Sequence, residues 1–267
     1  MIRTIVSGAC GKMGRRICTL MENDDLLELV GAVESPDNKH IGEDIGSVCG
    51  LGKKGITVKP DIADIIDEGE VIIEFSAPQA TLDHTRAAAE HEKAMVIGTT
   101  GLSPQQIEEI KRLSVRIPIV MAPNMSLGVN ILFKLVRDVA KTLKDEYDIE
   151  IVEMHHRFKK DAPSGTALKL AENAAEALGK DLNEVAVYGR QGHTGERKRG
   201  EIGIMSLRGG DVVGDHTVIF AGLGERIELT HKATSRDTFA LGALRAAKWV
   251  IDKIPGLYTM EDVLGIK

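Results

Sequence analysis

Two adjacent histidines, two lysines and a hydroxyl-glycine-hydroxyl turn fall within twelve residues, His155-His156-Arg157-Phe158-Lys159-Lys160-Asp161-Ala162-Pro163-Ser164-Gly165-Thr166. Imidazole titrates near neutrality, so either histidine is a candidate proton donor, and Lys159 or Lys160 offers a fixed positive charge. Ile149, Ile151, Val152 and Met154 form a β-rich run ending at the histidines, and residues 167–178 carry Ala and Leu at helical spacing, so the segment reads as strand, loop and helix. Ser164, Gly165 and Thr166 then form the first helical turn, whose unpaired N–H groups and positive dipole end suit a carboxylate or phosphate. Successive strand residues point to opposite faces, so His155 and His156 have different roles: one is the general acid, the other binds substrate or packs. Neighbours on one strand also chelate poorly, and no cysteine or second spaced histidine pair completes a ligand set, so no metal is expected.

A second pattern suits a dinucleotide. Gly8-Ala9-Cys10-Gly11-Lys12-Met13-Gly14 follows the first strand and opens the first helix, where glycines let a pyrophosphate reach backbone amides. The spacing is G-x-x-G-x-x-G rather than the usual G-x-G-x-x-G. Glu34, at the end of the second strand, stands where an acid would hold ribose hydroxyls. Phe75-Ser76-Ala77-Pro78, Gly98-Thr99-Thr100-Gly101 and Ala122-Pro123-Asn124-Met125 each follow a further strand, and ligands collect outside the carboxyl ends of such strands.

These groups need a scaffold, and hydrophobic periodicity supplies it. Strands are expected at 2–7, 27–33, 71–75, 94–97 and 117–120, alternating with helices at 12–22, 78–91 and 103–113, the last opened by Ser103-Pro104. That is an α/β, Rossmann-type doubly wound parallel sheet. Glycines at 42, 46, 50, 52 and 55 make residues 35–55 mainly loop. After a long helix at 127–143 strands dominate: 201–208, 211–221 and 225–231 read as an antiparallel meander joined through Gly209-Gly210 and Gly222-Leu223-Gly224. A second α+β domain with a mixed or antiparallel sheet follows, spanning 127–235, while a final helix at 237–253 returns to complete the dinucleotide domain, 1–126 with 236–267. The charged stretch 192–200 reads as a solvated loop, and His193, Asp215 and His216, being isolated, are assigned no role.

Composition narrows the classes. The chain has 267 residues, 43% of them hydrophobic, enough for a substantial core, and its net charge of −6 argues against a general nucleic-acid binder. No apolar stretch reaches membrane-span length, and Met1-Ile2-Arg3 runs straight into a strand without a signal-peptide core. Cys10, Cys18 and Cys49 are odd in number and form no C-x-x-C, which suits free thiols in a reducing, cytoplasmic compartment.

With these residues in view the chain closely resembles the 4-hydroxy-tetrahydrodipicolinate reductase (dihydrodipicolinate reductase) family, nearly end to end. The most specific match is Glu153-x-His155-His156-Arg157-x-Lys159-x-Asp161-Ala162-Pro163-Ser164-Gly165-Thr166-Ala167, supported by Gly98-Thr99-Thr100-Gly101 and by residues 188–197. The resemblance implies NAD(P)H-dependent reduction of a small cyclic dicarboxylate in lysine biosynthesis by the diaminopimelate route, and a homotetramer held through sheets of the substrate domains. It implies His155 as proton donor, Lys159 as its charge support, and His156, Ser164, Gly165 and Thr166 with Lys159 as the substrate-binding set. Cofactor contacts would come from Gly8, Ala9, Cys10, Gly11, Lys12, Met13, Glu34, Gly98, Thr99, Thr100, Ala122, Pro123, Asn124 and Met125. Ser35 and Ala77 stand where some members carry arginines for a 2′-phosphate, so NADH, or use of both NADH and NADPH, is expected; Lys12 and Lys39 are the remaining cations. Two rival readings are a semialdehyde dehydrogenase, which needs a nucleophilic cysteine that no position after Cys49 supplies, and a non-catalytic dinucleotide sensor, which has no need of the 155–166 segment.

Overall fold

The structure is a computed structural model that describes residues 1–266. In chain order its elements are β1 (Ile2–Ser7), α1 (Lys12–Met21), β2 (Leu27–Val33), α2 (Ile45–Cys49), β3 (Val58–Lys59), β4 (Val71–Glu74), α3 (Pro78–Glu90), β5 (Ala94–Ile97), α4 (Pro104–Leu113) and β6 (Pro118–Met121). There follow α5 (Leu127–Leu143), β7 (Asp148–His155), α6 (Gly165–Ala177), α7 (Leu182–Val185), β8 (Ala186–Tyr188), β9 (Ile202–Arg208), β10 (Gly214–Ala221), β11 (Arg226–Ala233), α8 (Asp237–Val250), β12 (Gly256–Tyr258) and α9 (Met260–Leu264). The chain divides into two compact units, residues Met1–Leu127 with Arg236–Gly265, and Gly128–Ser235.

The first unit is built on a parallel seven-stranded sheet of order β12-β6-β5-β4-β1-β2-β3. Its strands are short runs of β-branched and aliphatic residues buried on both faces, as a sheet covered by helices requires. Two apolar clusters fill those faces, one including Val6, Ile73, Val96 and the alanines of α8, the other Ile5, Ile72, Met95 and Ile110. The chain leaves β1 toward β2 on one side and later inserts β4 on the other, so the crevice at the carboxyl end of β1 is the point where strand order reverses. The C-terminal return is tied by Arg16, whose Nε and Nη2 donate to Asp237 Oδ1 and Oδ2 at 2.7 and 2.8 Å, and by the pairing of β12 with β6. Residues 35–55, expected to be mainly loop, hold α2, whose N-cap Asp44 accepts from the N–H groups of Ser47, Lys54, Gly55 and Ile56. One carboxylate thus organises a glycine-rich stretch that has little apolar periodicity of its own.

The second unit has a five-stranded mixed sheet of order β11-β10-β7-β9-β8. The expected meander is corrected here: β10 and β11 are a hairpin, but β9 pairs in parallel with β7, and β10 pairs antiparallel with the other edge of β7. Gly209-Gly210 is therefore no hairpin turn. It crosses the end of β7, with Gly209 N donating to His155 O at 3.0 Å and Arg157 N to Gly210 O at 3.2 Å. Period-2 alternation assigns strand and face but leaves the pairing partner open. Along β7 the buried side chains are Ile149, Ile151, Glu153 and His155, so an acid and a histidine share the face that the apolar residues bury.

Candidate active site

In the first unit the turn after β1 is shaped by absent side chains. Gly8 has φ +70°, and a Cβ there would lie 2.3 Å from Phe75 O; a Cβ on Gly14 would lie 2.1 Å from Gly8 O. Only glycine lets β1, the residue after β4 and α1 approach this closely. Gly11 is the N-cap of α1 and no side chain caps it, so the first amides of α1 face an exposed turn, the end of a helix that favours negative charge. Glu34 folds back on the turn: Oε2 accepts from Cys10 N and Oε1 from Ser35 N, both at 2.9 Å.

Two clefts flank this turn. One, of about 590 Å³, is lined by Gly11, Lys12, Met13, Gly98, Thr99, Thr100, Pro123, Asn124 and Met125, together with Phe75, Ser76, Arg236 and Phe239. The other, of about 400 Å³, is lined by Gly8, Gly11, Glu34 and Ser35 with the apolar Pro36, Pro60, Ala77 and Ala80. Ala9, Cys10 and Ala122, also expected at the cofactor, are buried and line neither. Among the described residues no Lys or Arg lines the Glu34 cleft, and its His84 is engaged through Nδ1 with Glu74 Oε2 at 2.7 Å and Ser7 Oγ at 3.1 Å. Thr99 Oγ1 accepts from Ser76 N at 3.1 Å and Thr81 Oγ1 at 2.9 Å, which joins the loops after β4 and β5.

In the second unit a cluster of titratable side chains centres on Glu153, which is fully buried. Its Oε2 lies 2.5 Å from His155 Nδ1 and accepts from Arg208 Nη1 at 3.0 Å; Oε1 accepts from Ser164 N at 3.2 Å and pairs with Arg208 Nη2 at 2.9 Å. Ser164 caps α6, its Oγ accepting from Ala167 N at 3.2 Å and meeting His216 Nε2 at 3.1 Å. The rings of His155 and His216 meet edge to face with centroids 5.1 Å apart. Lys159 Nζ bonds Asp161 at 2.8 and 2.9 Å, and Arg208 Nη2 holds Asp161 O at 2.6 Å. Gly165, first in the helix, is exposed, and a Cβ placed there would meet nothing within 4 Å: open space lies over the start of α6. His156 leaves Nδ1 buried without a hydrogen-bond partner among the described residues.

Electrostatics follow from this packing. Burial pushes the His155 imidazole below its ordinary value, aided by Lys159 and Arg208 and opposed by the carboxylate of Glu153. His216 is lowered to about 4 by burial and by the nearby His155. Glu153 is held below the usual carboxylate range although burial opposes this, because Arg208, Ser206 and His155 all hydrogen-bond to it. Neutral His155 donates Nδ1–H to Glu153, which leaves Nε2 to exchange protons with a ligand.

Sequence reasoning gave no role to Glu153, Arg208 or His216. The first had a legible signal, since E-x-H on a strand puts both side chains on one face; the other two reach the site only through sheet pairing and a long-range helix cap. Cationic Arg236, at the wall of the larger first-unit cleft, was equally out of reach because α8 returns from the far end of the chain.

The fold and these two sites define a nicotinamide-dependent oxidoreductase: a Rossmann-type dinucleotide unit accompanied by a unit carrying an acid-histidine pair. Comparison with known proteins takes this further. Residues 2–125 match the model for "Dihydrodipicolinate reductase, N-terminus" and residues 128–264 that for "Dihydrodipicolinate reductase, C-terminus". The 4-hydroxy-tetrahydrodipicolinate reductases of Syntrophus aciditrophicus (strain SB) and Syntrophobacter fumaroxidans (strain DSM 10017 / MPOB) are 53% and 52% identical over 100% of both chains. The dipicolinate-bound dihydrodipicolinate reductase from Paenisporosarcina sp. TG-14 superposes with a TM-score of 0.76 at 28% identity, covering 97% of each chain. The chain belongs to the dihydrodipicolinate reductase family.

Proposed function

We propose that this chain carries out the reaction of its family, reduction of 4-hydroxy-tetrahydrodipicolinate (dihydrodipicolinate) to tetrahydrodipicolinate, with His155 as proton donor. The observation that carries this reading is the buried Glu153–His155 pair beside the open first turn of α6. A bound dihydronicotinamide supplies hydride to the unsaturated ring. The resulting enamine takes its proton from His155 Nε2, while Glu153 at Nδ1 fixes the tautomer and stabilises the imidazolium. Lys159 faces the same chemistry as a charge partner, and its Asp161 contact is exchanged for a substrate carboxylate. His156, Gly165 and Thr166 hold carboxylates, with Ser164 fixing the turn, since its own N–H and hydroxyl are engaged. Two arriving carboxylates raise the depressed His155 pKa, so substrate binding itself charges the proton donor.

The cofactor would be held in the two clefts of the dinucleotide domain, 1–126 completed by 236–267: the Gly8 to Met13 turn would take the pyrophosphate, Glu34 the adenosine ribose, and Gly98 to Thr100 with Pro123 to Met125 the nicotinamide. NADH is favoured over NADPH. A 2′-phosphate beside Glu34 meets a like charge, and Lys12 lines the other cleft. The substrate domain, 127–235, also assembles a homotetramer; exposed Leu207 and Ile227 on its strands support this. Three free cysteines suit the cytoplasm, and no described helix is long and apolar enough to cross a membrane.

The deciding experiment is turnover of enzymatically generated substrate with NADH and with NADPH, together with sedimentation to read the assembly. No oxidation of either cofactor rejects the reaction; a tenfold or greater preference for NADPH, about 1.4 kcal/mol, rejects the cofactor choice.

A further inference from the structure

Gly214 opens β10 as a buried residue, and its backbone does not require glycine, since its φ lies outside the left-handed region. A glycine in a strand forfeits side-chain packing and marks a place where another group comes close. Here that group is His155. The buried face of β10 runs Phe220, Val218, His216, Gly214, and the antiparallel register sets the first three opposite Ile149, Ile151 and Glu153 of β7. One further step along both strands brings Gly214 to His155. A Cβ placed on Gly214 would lie 3.0 Å from His155 Nε2, 3.4 Å from its Cδ2 and 3.5 Å from His216 Cε1.

The imidazole has little room to retreat from such an atom. Its Nδ1 lies 2.5 Å from Glu153 Oε2, Glu153 is held in turn by Arg208 Nη1 at 3.0 Å and Ser164 N at 3.2 Å, and the His216 ring meets it edge to face with centroids 5.1 Å apart. A carbon 3.0 Å from Nε2 is tighter than ordinary van der Waals contact, and it stands within the distance of about 2.6–3.2 Å at which a proton partner must approach. A side chain at position 214 therefore either pushes the ring off Glu153 or covers Nε2. Only 11% of the His155 side chain is exposed, so the ring offers a ligand little other surface.

We propose that Gly214 is a positioning residue for proton transfer: its missing side chain lets His155 keep its bond to Glu153 while Nε2 stays uncovered for the substrate. This role rests on His155 as proton donor and adds the strand that sets the donor's access. Gly214 takes no part in the step itself. The Nε2–H bond of His155 breaks, a C–H bond forms on the substrate ring and the imidazolium becomes neutral, while the glycine acts only through where the imidazole lies. On its other side a methyl at position 214 would meet His216 Cε1 at ordinary contact distance, so the crowding it brings falls on His155 alone.

The test is a double-mutant cycle of Gly214→Ala and His155→Ala, read by Tm, by kcat and by the Kd for NADH and for dipicolinate. Alone, Gly214→Ala should lower Tm by about 4 °C, the cost of packing a methyl against a held ring; with His155 already alanine the same methyl meets open space and should cost less than about 1 °C. The kcat of Gly214→Ala should fall about tenfold or more, while both Kd values change less than about threefold, because the start of α6 and the dinucleotide unit are untouched. Should Gly214→Ala not fold, folding recovered in the double variant supports the role, and none recovered overturns it. An equal Tm cost in both backgrounds, or none in either, shows that the glycine does not make room for His155 and overturns the role. A near-normal kcat for Gly214→Ala does so too, as does a dipicolinate Kd that rises in step with the loss of kcat. A near-normal kcat for His155→Ala rejects the donor reading and the positioning role with it, while the Tm cycle, which uses no turnover, still decides whether Gly214 makes room for the ring.

Discussion

Glu153 Oε2 lies 2.5 Å from His155 Nδ1, and the same carboxylate is held at both oxygens by Arg208. Because Arg208 neutralises the buried acid, Glu153 stays ionised while orienting the imidazole, and His155 presents Nε2 in a fixed tautomer. Glu153→Gln preserves shape but removes the charge that raises the His155 pKa. Turnover should fall about 100-fold, and the alkaline limb of kcat/KM should move to lower pH, since the imidazole then loses its proton more readily. A full pH-rate profile checks this; an unmoved limb would return Glu153 to a packing role.

His155→Ala removes the proposed proton donor and should lower kcat by about two to four orders of magnitude. NADH affinity should hardly change, because the cofactor contacts are proposed in the other unit. Steady-state kinetics beside cofactor titration separate the two, and a near-normal kcat would sink the assignment.

Gly165→Val tests the open start of α6. The new side chain would project into space that no atom of the described protein occupies, so the Tm should hold while the Kd for a cyclic dicarboxylate rises roughly tenfold, about 1.4 kcal/mol. Calorimetry with dipicolinate is the measurement; unchanged affinity would place the carboxylates elsewhere.

Ser35→Arg adds a guanidinium next to Glu34, in a cleft whose described lining contains no Lys or Arg. The ratio of kcat/KM for NADPH to that for NADH should increase about tenfold or more, through bidentate pairing with the 2′-phosphate. No gain for NADPH would show that selectivity is set by other residues.

His216 gives the fold an acid limit. Its folded pKa of about 4 lies below the ordinary 6.5, so between these values the unfolded chain binds more protons and stability falls as pH falls. The loss amounts to about 3 kcal/mol once both states are protonated. Denaturant unfolding at pH 7 and pH 4 should show it, and His216→Gln should flatten the slope across that window. A wild-type stability independent of pH there would contradict the burial argument.

Local chemistry made much of the scaffold legible. Short apolar runs between helical stretches require covered parallel strands, the Gly8 to Gly14 spacing marks the first βα turn, and Ser164-Gly165-Thr166 marks a helix start. The Glu153–His155 pairing was also within reach, because residues two apart on a strand share a face. Only tertiary structure decided that β9 and β10 lie on opposite sides of β7, which delivers Arg208 to Glu153 across 55 residues of chain, and that His216, 52 residues beyond Ser164, packs against its cap. Periodicity is a property of one strand and its two faces; which edges meet depends on the free energy of burying the whole sheet, and no local run of residues carries that choice.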